Sequence, residues 1–138
     1  MNNTVEIWKS IPGYGRWQVG TMGHVRHQDR NGNWHIVKPY SNHKGYQKVH
    51  LTDENGKRKP CRVHRLVAEA FIPNPRGFEE INHRDEDKTN NSAFNLEWVS
   101  GEQNRLMHKV MKEFKTSGES VAFQNLDDGC FYLLEAIN

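Results

Sequence analysis

His83 stands in the run Ile81-Asn82-His83-Arg84-Asp85, and Asn104 and His108 follow four residues apart in Asn104-Arg105-Leu106-Met107-His108. These residue types suit the hydrolysis of a phosphodiester. That reaction needs an activated water, stabilisation of charge on the phosphate, and help for the departing oxygen. An imidazole titrates near neutral pH and can take a proton from water. A divalent cation can bridge a phosphate oxygen and the leaving oxygen. Mg²⁺ in such a site keeps few protein ligands beside water and substrate oxygens. Asn82, Asn104 and His108 are the donors at hand. Asn82 and His83 point to opposite faces of an extended strand, so both could act at one site only on a bent or edge strand.

Each residue also has an ordinary reading. By spacing alone, His83 is more often a surface or hydrogen-bonded histidine than a base. Asn90 and Asn91 read as turn formers, Asp85 and Asp87 as acidic loop residues, and His64 as a helix residue bonded to a carbonyl.

The elements that must position these side chains are legible in outline. Ile81-Asn82-His83 reads as a short strand, Asp85 to Asn91 as a polar loop, and Leu96-Glu97-Trp98-Val99 as a second strand. Ser100 followed by Gln103 predicts a capped helix start, and on that helix Asn104 and His108 share a face. Residues 5–62 alternate short apolar runs with turn signals, including Asn31-Gly32 and Asn55-Gly56, and predict a β-meander with type I′ hairpin turns. Trp8, Trp17 and Trp34 are expected to supply its core. Val63, Leu66, Val67, Ala70 and Phe71 form the stripe of an amphipathic helix, ended by Pro73 and Pro75. Val121–Leu126 and Cys130–Leu134 flank Asp127-Asp128-Gly129 and predict a terminal hairpin.

Composition bounds the class of protein. The 138 residues suffice for one domain or two small lobes, and the mean hydropathy of -0.92 predicts a thin core and a polar surface. No run is long and apolar enough for a membrane span. The first residues lack the pattern of a secretory signal. Cys61 and Cys130 form no paired motif, so neither a cysteine zinc site nor a disulfide framework is expected. These features predict an intracellular, cytoplasmic protein without a membrane partner. Charge is asymmetric: residues 1–76 carry 13 Lys and Arg against 5 Asp and Glu, and residues 77–138 carry 6 against 12. A basic front half suits a polyanion, and charge alone fits a solvated basic face equally well. Its cations, Arg16, Arg26, Arg30, Lys38, Lys44, Lys48, Lys57, Arg58, Lys59 and Arg62, lie on the expected strands and turns and are the candidate contacts to double-stranded DNA.

Taken together, Ile81-Asn82-His83-Arg84-Asp85, Asn90-Asn91, Asn95-Leu96-Glu97-Trp98-Val99 and Asn104 resemble the HNH nuclease motif of phage and intron-encoded homing endonucleases. Val63 to Pro75 looks like the segment preceding that motif. Glu6-Ile7-Trp8-Lys9, Gly13-Tyr14 and Gly23-His24-Val25-Arg26 resemble the NUMOD4 module often fused to it. The match runs in order over about residues 5–113. It implies an α+β fold, with an N-terminal antiparallel β-meander, a helix and a ββα-metal core at residues 79–113. The implied division is a β-rich DNA-binding module at 1–58, a nuclease domain at 59–114 and a tail with a hairpin at 115–138. Longer relatives carry a further DNA-binding domain, of which Ser120 to Asn138 resembles only the opening hairpin. This implies a minimal nuclease, or one lacking part of its specificity apparatus.

The resemblance makes His83 the general base and Asn95 the residue that braces the loop and orients it. Asn104 and Asn82 become metal ligands, the latter where many relatives have Asp or His. His108 resembles a second helical metal ligand. The implied protein is an endonuclease using one Mg²⁺ or Mn²⁺ per site, nicking one strand as a monomer or cutting both as a homodimer, in a phage-infected host. Two alternatives stay open, a DNA-binding protein with a degenerate nuclease site and a partner of phage packaging machinery.

Overall fold

A computed structural model describes residues 5–136; the first four and last two residues of the ranges above lie outside the described residues. The fold is α+β and divides into two compact units, Met1–Pro75 with His83–Glu97, and Arg76–Asn82 with Trp98–Asn138.

The first unit holds two antiparallel sheets where the sequence suggested one continuous meander. Strands β1 (Trp8–Ile11), β2 (Tyr14–Gly20), β3 (Val25–Gln28) and β4 (Trp34–Ile36) form one sheet in that order, and β5 (Tyr40–Ser41), β6 (Gln47–Thr52) and β7 (Arg58–Arg62) form the other. Trp17 and Val19 pair with His27 and Val25, so their side chains share one face. That face is buried, with Trp17, Val19 and Val25 at 7%, 1% and 2% exposure. Trp17 Nε1 donates to Thr52 O at 3.1 Å and ties the two sheets together.

Trp8 and Trp34 depart from the expected core role. Register places them with Gln18 and Arg26 on the opposite face. There the Arg26 guanidinium lies 4.1 Å from the Trp8 ring and 4.5 Å from the Trp34 ring, a cation–π clamp. Strand alternation, rather than aromatic character, decided which tryptophan went inside.

The hairpin turns are not type I′. In Asp29–Asn33 the Asp29 amide donates to Asn33 O at 2.9 Å and Gly32 N to Asp29 O at 3.1 Å. Gly32 adopts φ 86, while Asn31 is not left-handed; a type I′ turn needs positive φ at both central residues. The side chain of Asp29 explains the choice, because its Oδ1 accepts the amides of Asn31 and Asn33 at 2.8 and 3.0 Å. Asn42–Tyr46 and Asp53–Lys57 repeat this arrangement, with Asn42 and Asp53 as acceptors.

Helix α1 (Val63–Phe71) has the expected bounds. Its buried residues are Val63, His64, Val67 and Ala68, so the core-facing stripe is rotated to include His64. Lys9 Nζ donates to Ala70 O at 2.9 Å and stands 5.2 Å over the Phe71 ring, placing a cation at the helix C-terminus.

Strand β8 (Glu80–His83) pairs with β9 (Leu96–Val99), which a 3-10 turn at Ala93–Asn95 precedes. Helix α2 (Gly101–Ser117) and the hairpin of β10 (Val121–Gln124) and β11 (Phe131–Leu134) complete the second unit. Ser100 caps α2 by accepting the Gln103 amide at 3.0 Å. The reciprocal half of the capping box is replaced. The Ser100 amide donates to Asp127 Oδ2 at 3.1 Å, and buried Gln103 Oε1 accepts the Leu126 amide at 2.7 Å. The turn of the terminal hairpin thus supplies the anion at the helix N-terminus.

Candidate active site

His83, the last residue of β8, is 5% exposed. Its Nε2 meets Asn91 Oδ1 at 2.8 Å. With that oxygen as acceptor, the neutral ring carries its proton on Nε2, and Nδ1 keeps the lone pair. Nδ1 is then the atom able to take a proton. Asn91 is itself buried. Its backbone packs so closely on Gly23 that a Cβ there would stand 2.8 Å from the Asn91 carbonyl carbon and oxygen. The next residues are fixed too, since Ala93 N donates to Thr21 O at 2.7 Å.

Asn95 braces the loop. Its Nδ2 donates to Asp85 Oδ1 and to Asn90 O, both at 2.8 Å, and its Oδ1 accepts the Asp85 amide at 3.1 Å. The Asp85 carboxylate also accepts from Asn90 Nδ2 and the Asp87 amide, each at 2.8 Å. The Asn90 side chain first, then the Asp87 amide, hold the Asp85 carboxyl below the usual carboxylate range. Glu86, between the two aspartates, has φ 63, the one left-handed non-glycine among the described residues. The side chain that touches the imidazole is Asn91, a residue whose type and place in the sequence predict a turn former. Nothing in residue type separates it from Asn90; burial does.

Two more rings pack behind the His83 imidazole. His64 lies 5.2 Å from His83, centroid to centroid, and 5.2 Å from Tyr46, with which it is stacked at 18°. Burial first, then the nearby His83, Arg65 and Arg62, push the His64 pKa down to about 3. His64 is thus a neutral packing partner of His83, and its described contacts are aromatic rather than the carbonyl bond expected of it.

The donors expected to hold a metal, Asn82, Asn104 and His108, belong to the second unit. Asn104, on the first turn of α2, donates from Nδ2 to Glu80 Oε2 at 3.3 Å. Its Oδ1 is buried without a hydrogen-bond partner, the one such side-chain atom among the described residues. A buried amide oxygen left without a donor fits a hard cation. Glu80 went unremarked in the sequence; it turns the amide so that oxygen is the free end. Asn82 is half-buried on β8, and His108 is exposed one turn further along α2. Among the described residues no three His, Cys, Asp or Glu side chains stand close enough to hold a metal. The expected donors are two amides and an imidazole.

The ten basic residues do not share one face. Pairing of Tyr40 with Lys48, Lys48 with Arg62 and Thr52 with Arg58 puts Lys48, Arg58 and Arg62 on one side of the β5–β6–β7 sheet. Tyr40 and His50, stacked at 5.2 Å, share that side. Lys59 is on the opposite side with Leu51. Lys44 and Lys57 occupy turns and Lys38 a link. Arg16 and Arg30 line a cleft of about 730 Å³ with Asp53 and Glu54. Besides its two tryptophans, Arg26 donates to Gln18 Oε1 at 2.8 and 2.6 Å, so its guanidinium is largely engaged within the sheet. No helix among the described residues is long and apolar enough to cross a membrane.

The NUMOD4 motif matches residues 6–52 and the HNH endonuclease family matches residues 61–106. Two uncharacterized HNH endonucleases of Acanthamoeba polyphaga mimivirus are 30% and 35% identical over 93% and 90% of this chain, and 41% and 31% of their own lengths. DNA endonuclease I-HmuI of Bacillus phage SP01 is 38% identical over 67% of this chain and 52% of its own. The chain thus spans about a third to a half of these relatives. A solved structure of the HNH homing endonuclease I-HmuI, described for DNA binding and cleavage, superposes with a TM-score of 0.62 at 28% identity, covering 94% of this chain and 78% of that one. With a NUMOD4 motif at residues 6–52 ahead of an HNH endonuclease match at residues 61–106, the chain is similar in sequence and fold to HNH endonucleases.

Proposed function

We propose that this chain is a metal-dependent endonuclease that hydrolyses DNA phosphodiester bonds, nicking one strand per active site, of the phage and homing-endonuclease type. The observation that carries the reading is the buried His83 with Nε2 2.8 Å from Asn91 Oδ1; with that oxygen as acceptor, Nδ1 is left to take a proton. In this reading Nδ1 takes the proton from the attacking water, Asn91 holds the tautomer, and Asn95 keeps the loop closed behind the ring. Asn104, Asn82 and His108 would hold one Mg²⁺ or Mn²⁺. When bound, that cation supplies charge stabilisation to the phosphate and the departing oxygen. The orphaned Oδ1 of Asn104 supports the ligand assignment, and the neutral donor set makes affinity depend on the substrate phosphate. Residues 1–58 serve as the DNA-binding module, 59–114 as the nuclease domain and 115–138 as a tail. The setting is the interior of an infected host cell, and the products carry a 5′-phosphate and a 3′-hydroxyl.

The test is conversion of supercoiled plasmid with Mg²⁺, Mn²⁺ or EDTA, comparing wild type with His83→Ala. Metal-dependent open circles, lost in the variant, are expected. Linear product would indicate paired cutting, and full metal-dependent cleavage by His83→Ala would overturn the mechanism. Asn82, a neutral residue at a ligand position, favours one second reading, a DNA-binding protein with a weakened site. That reading predicts salt-sensitive binding and no cleavage with either ion.

A further inference from the structure

Tyr46 precedes β6 in a turn that fixes it, its amide donating to Asn42 Oδ1 at 3.0 Å. Its ring stacks on His64 at 5.2 Å, and its centroid is 6.1 Å from that of His83. Two cations come to this ring from distant parts of the first unit. Arg62, the last residue of β7, places its Cζ 5.2 Å from the ring centroid. Lys88, from the loop after β8, places its Nζ 4.6 Å away.

Lys88 is flanked in sequence by acids but turns from them. Asp85 and Asp87 direct their carboxylates to amides, a hydroxyl and side chains of their own loop. The lysine stem instead packs near Gly45, and Nζ donates to Lys44 O at 2.7 Å. The described ion pairs join His24 to Glu6, His35 to Asp29, Arg65 to Glu69 and Arg84 to Glu97. None takes up Arg62 or Lys88. Two positive groups are thus held by a ring face and a carbonyl, with no carboxylate spent on either, beside the histidine proposed as base. Such cations repel one another unless an anion arrives to share them.

We propose that Lys88 and Arg62, held on Tyr46, seat a phosphate of the DNA backbone next to His83. The inference rests on the nuclease reading above and deepens it. Lys88 and Arg62 touch the substrate, and Tyr46 is a positioning residue. The acidic loop therefore contributes a DNA contact that the charge balance of the chain conceals.

The experiment measures binding of a DNA duplex in EDTA across a salt series, for wild type, Lys88→Met, Lys88→Arg, Arg62→Gln, Tyr46→Phe and Tyr46→Leu. Urea midpoints check that each variant is folded. Losing one phosphate contact lowers the slope of log affinity against log salt by about 0.9. Lys88→Met and Arg62→Gln are expected to show that drop and roughly tenfold weaker low-salt binding. Lys88→Arg and Tyr46→Phe should keep the wild-type slope, and Tyr46→Leu should lose it. A lysine that only pins the loop to the turn would move the urea midpoint and leave the slope alone. An unchanged slope in folded Lys88→Met and Arg62→Gln therefore overturns the seat. Plasmid cleavage is scored separately. If wild type fails to cleave, the nuclease reading falls while the binding slopes still decide this inference.

Discussion

Gly23→Ala should loosen the base without touching it. Gly23 has φ +91, and an added Cβ would stand 2.8 Å from the Asn91 carbonyl carbon and oxygen and 3.0 Å from its Cβ. A left-handed conformation costs an alanine about 1–2 kcal/mol. Overpacking against backbone that cannot rotate away costs about 1–3 kcal/mol more. The sum, about 2–5 kcal/mol, is a large share of the roughly 5–15 kcal/mol that holds a domain together. With a urea slope of about 2 kcal/mol per molar, the midpoint should fall by roughly 1–2.5 M. Gly13→Ala separates the two contributions, because Gly13 has φ +83 with nothing within 4 Å of an added Cβ. It should bear only the conformational cost. Relief of the clash would push Asn91 off Nε2 of His83, so Gly23→Ala should also lose plasmid nicking disproportionately to Gly13→Ala. Equal urea midpoints and equal nicking for the two variants would show that Asn91 yields without cost, and would refute the argument that Gly23 sets the base.

Other outcomes follow from the same geometry. Asn91→Ala removes the partner of a buried ring nitrogen and should cost about 1–3 kcal/mol, read as a lowered urea midpoint together with slower nicking; Asn90→Ala, at an exposed position, should cost less. His64 is held neutral by burial, then by His83, Arg65 and Arg62, with its pKa moved from 6.5 to about 3. The unfolded chain binds a proton there that the folded chain refuses. The associated stability is complete above pH 6.5 and is lost as the pH falls towards 3. By pH 5 the loss is about 2 kcal/mol, and urea midpoints at pH 7 and 5 should show His64→Gln missing this drop. Ser100→Ala and Asp127→Ala each remove part of the α2 cap and should cost about 1 kcal/mol apiece. Because the two side chains bond one another at 2.5 Å, the double variant should cost less than the sum of the singles.

Much of this protein was legible in residue order. The β-rich front, α1 at Val63–Phe71, the paired strands around the loop, the capped α2 and the terminal hairpin all follow from local alternation, turn residues and proline stops. The resemblance to the nuclease motif also picks out His83, Asn95 and Asn104. Other features depended on pairing between distant strands. Whether Trp8, Trp17 or Trp34 fills the core is set by register across three strands, so composition could not choose among them. The division of seven strands into two sheets likewise depends on which edges meet.

The candidate site divides in the same way. Sequence by itself supplied a histidine of suitable chemistry and the amides around it, because those are properties of side chains and their spacing. It could not distinguish Asn91 from Asn90, adjacent residues of one type. Only packing against Gly23 buries the first and turns its oxygen to the ring. Nor could it give Glu80 its grip on Asn104, or Asp127 its place at the start of α2. A hydrogen bond is fixed by distance and direction in space, and residues far apart in the chain acquire both only when the tertiary structure brings them together.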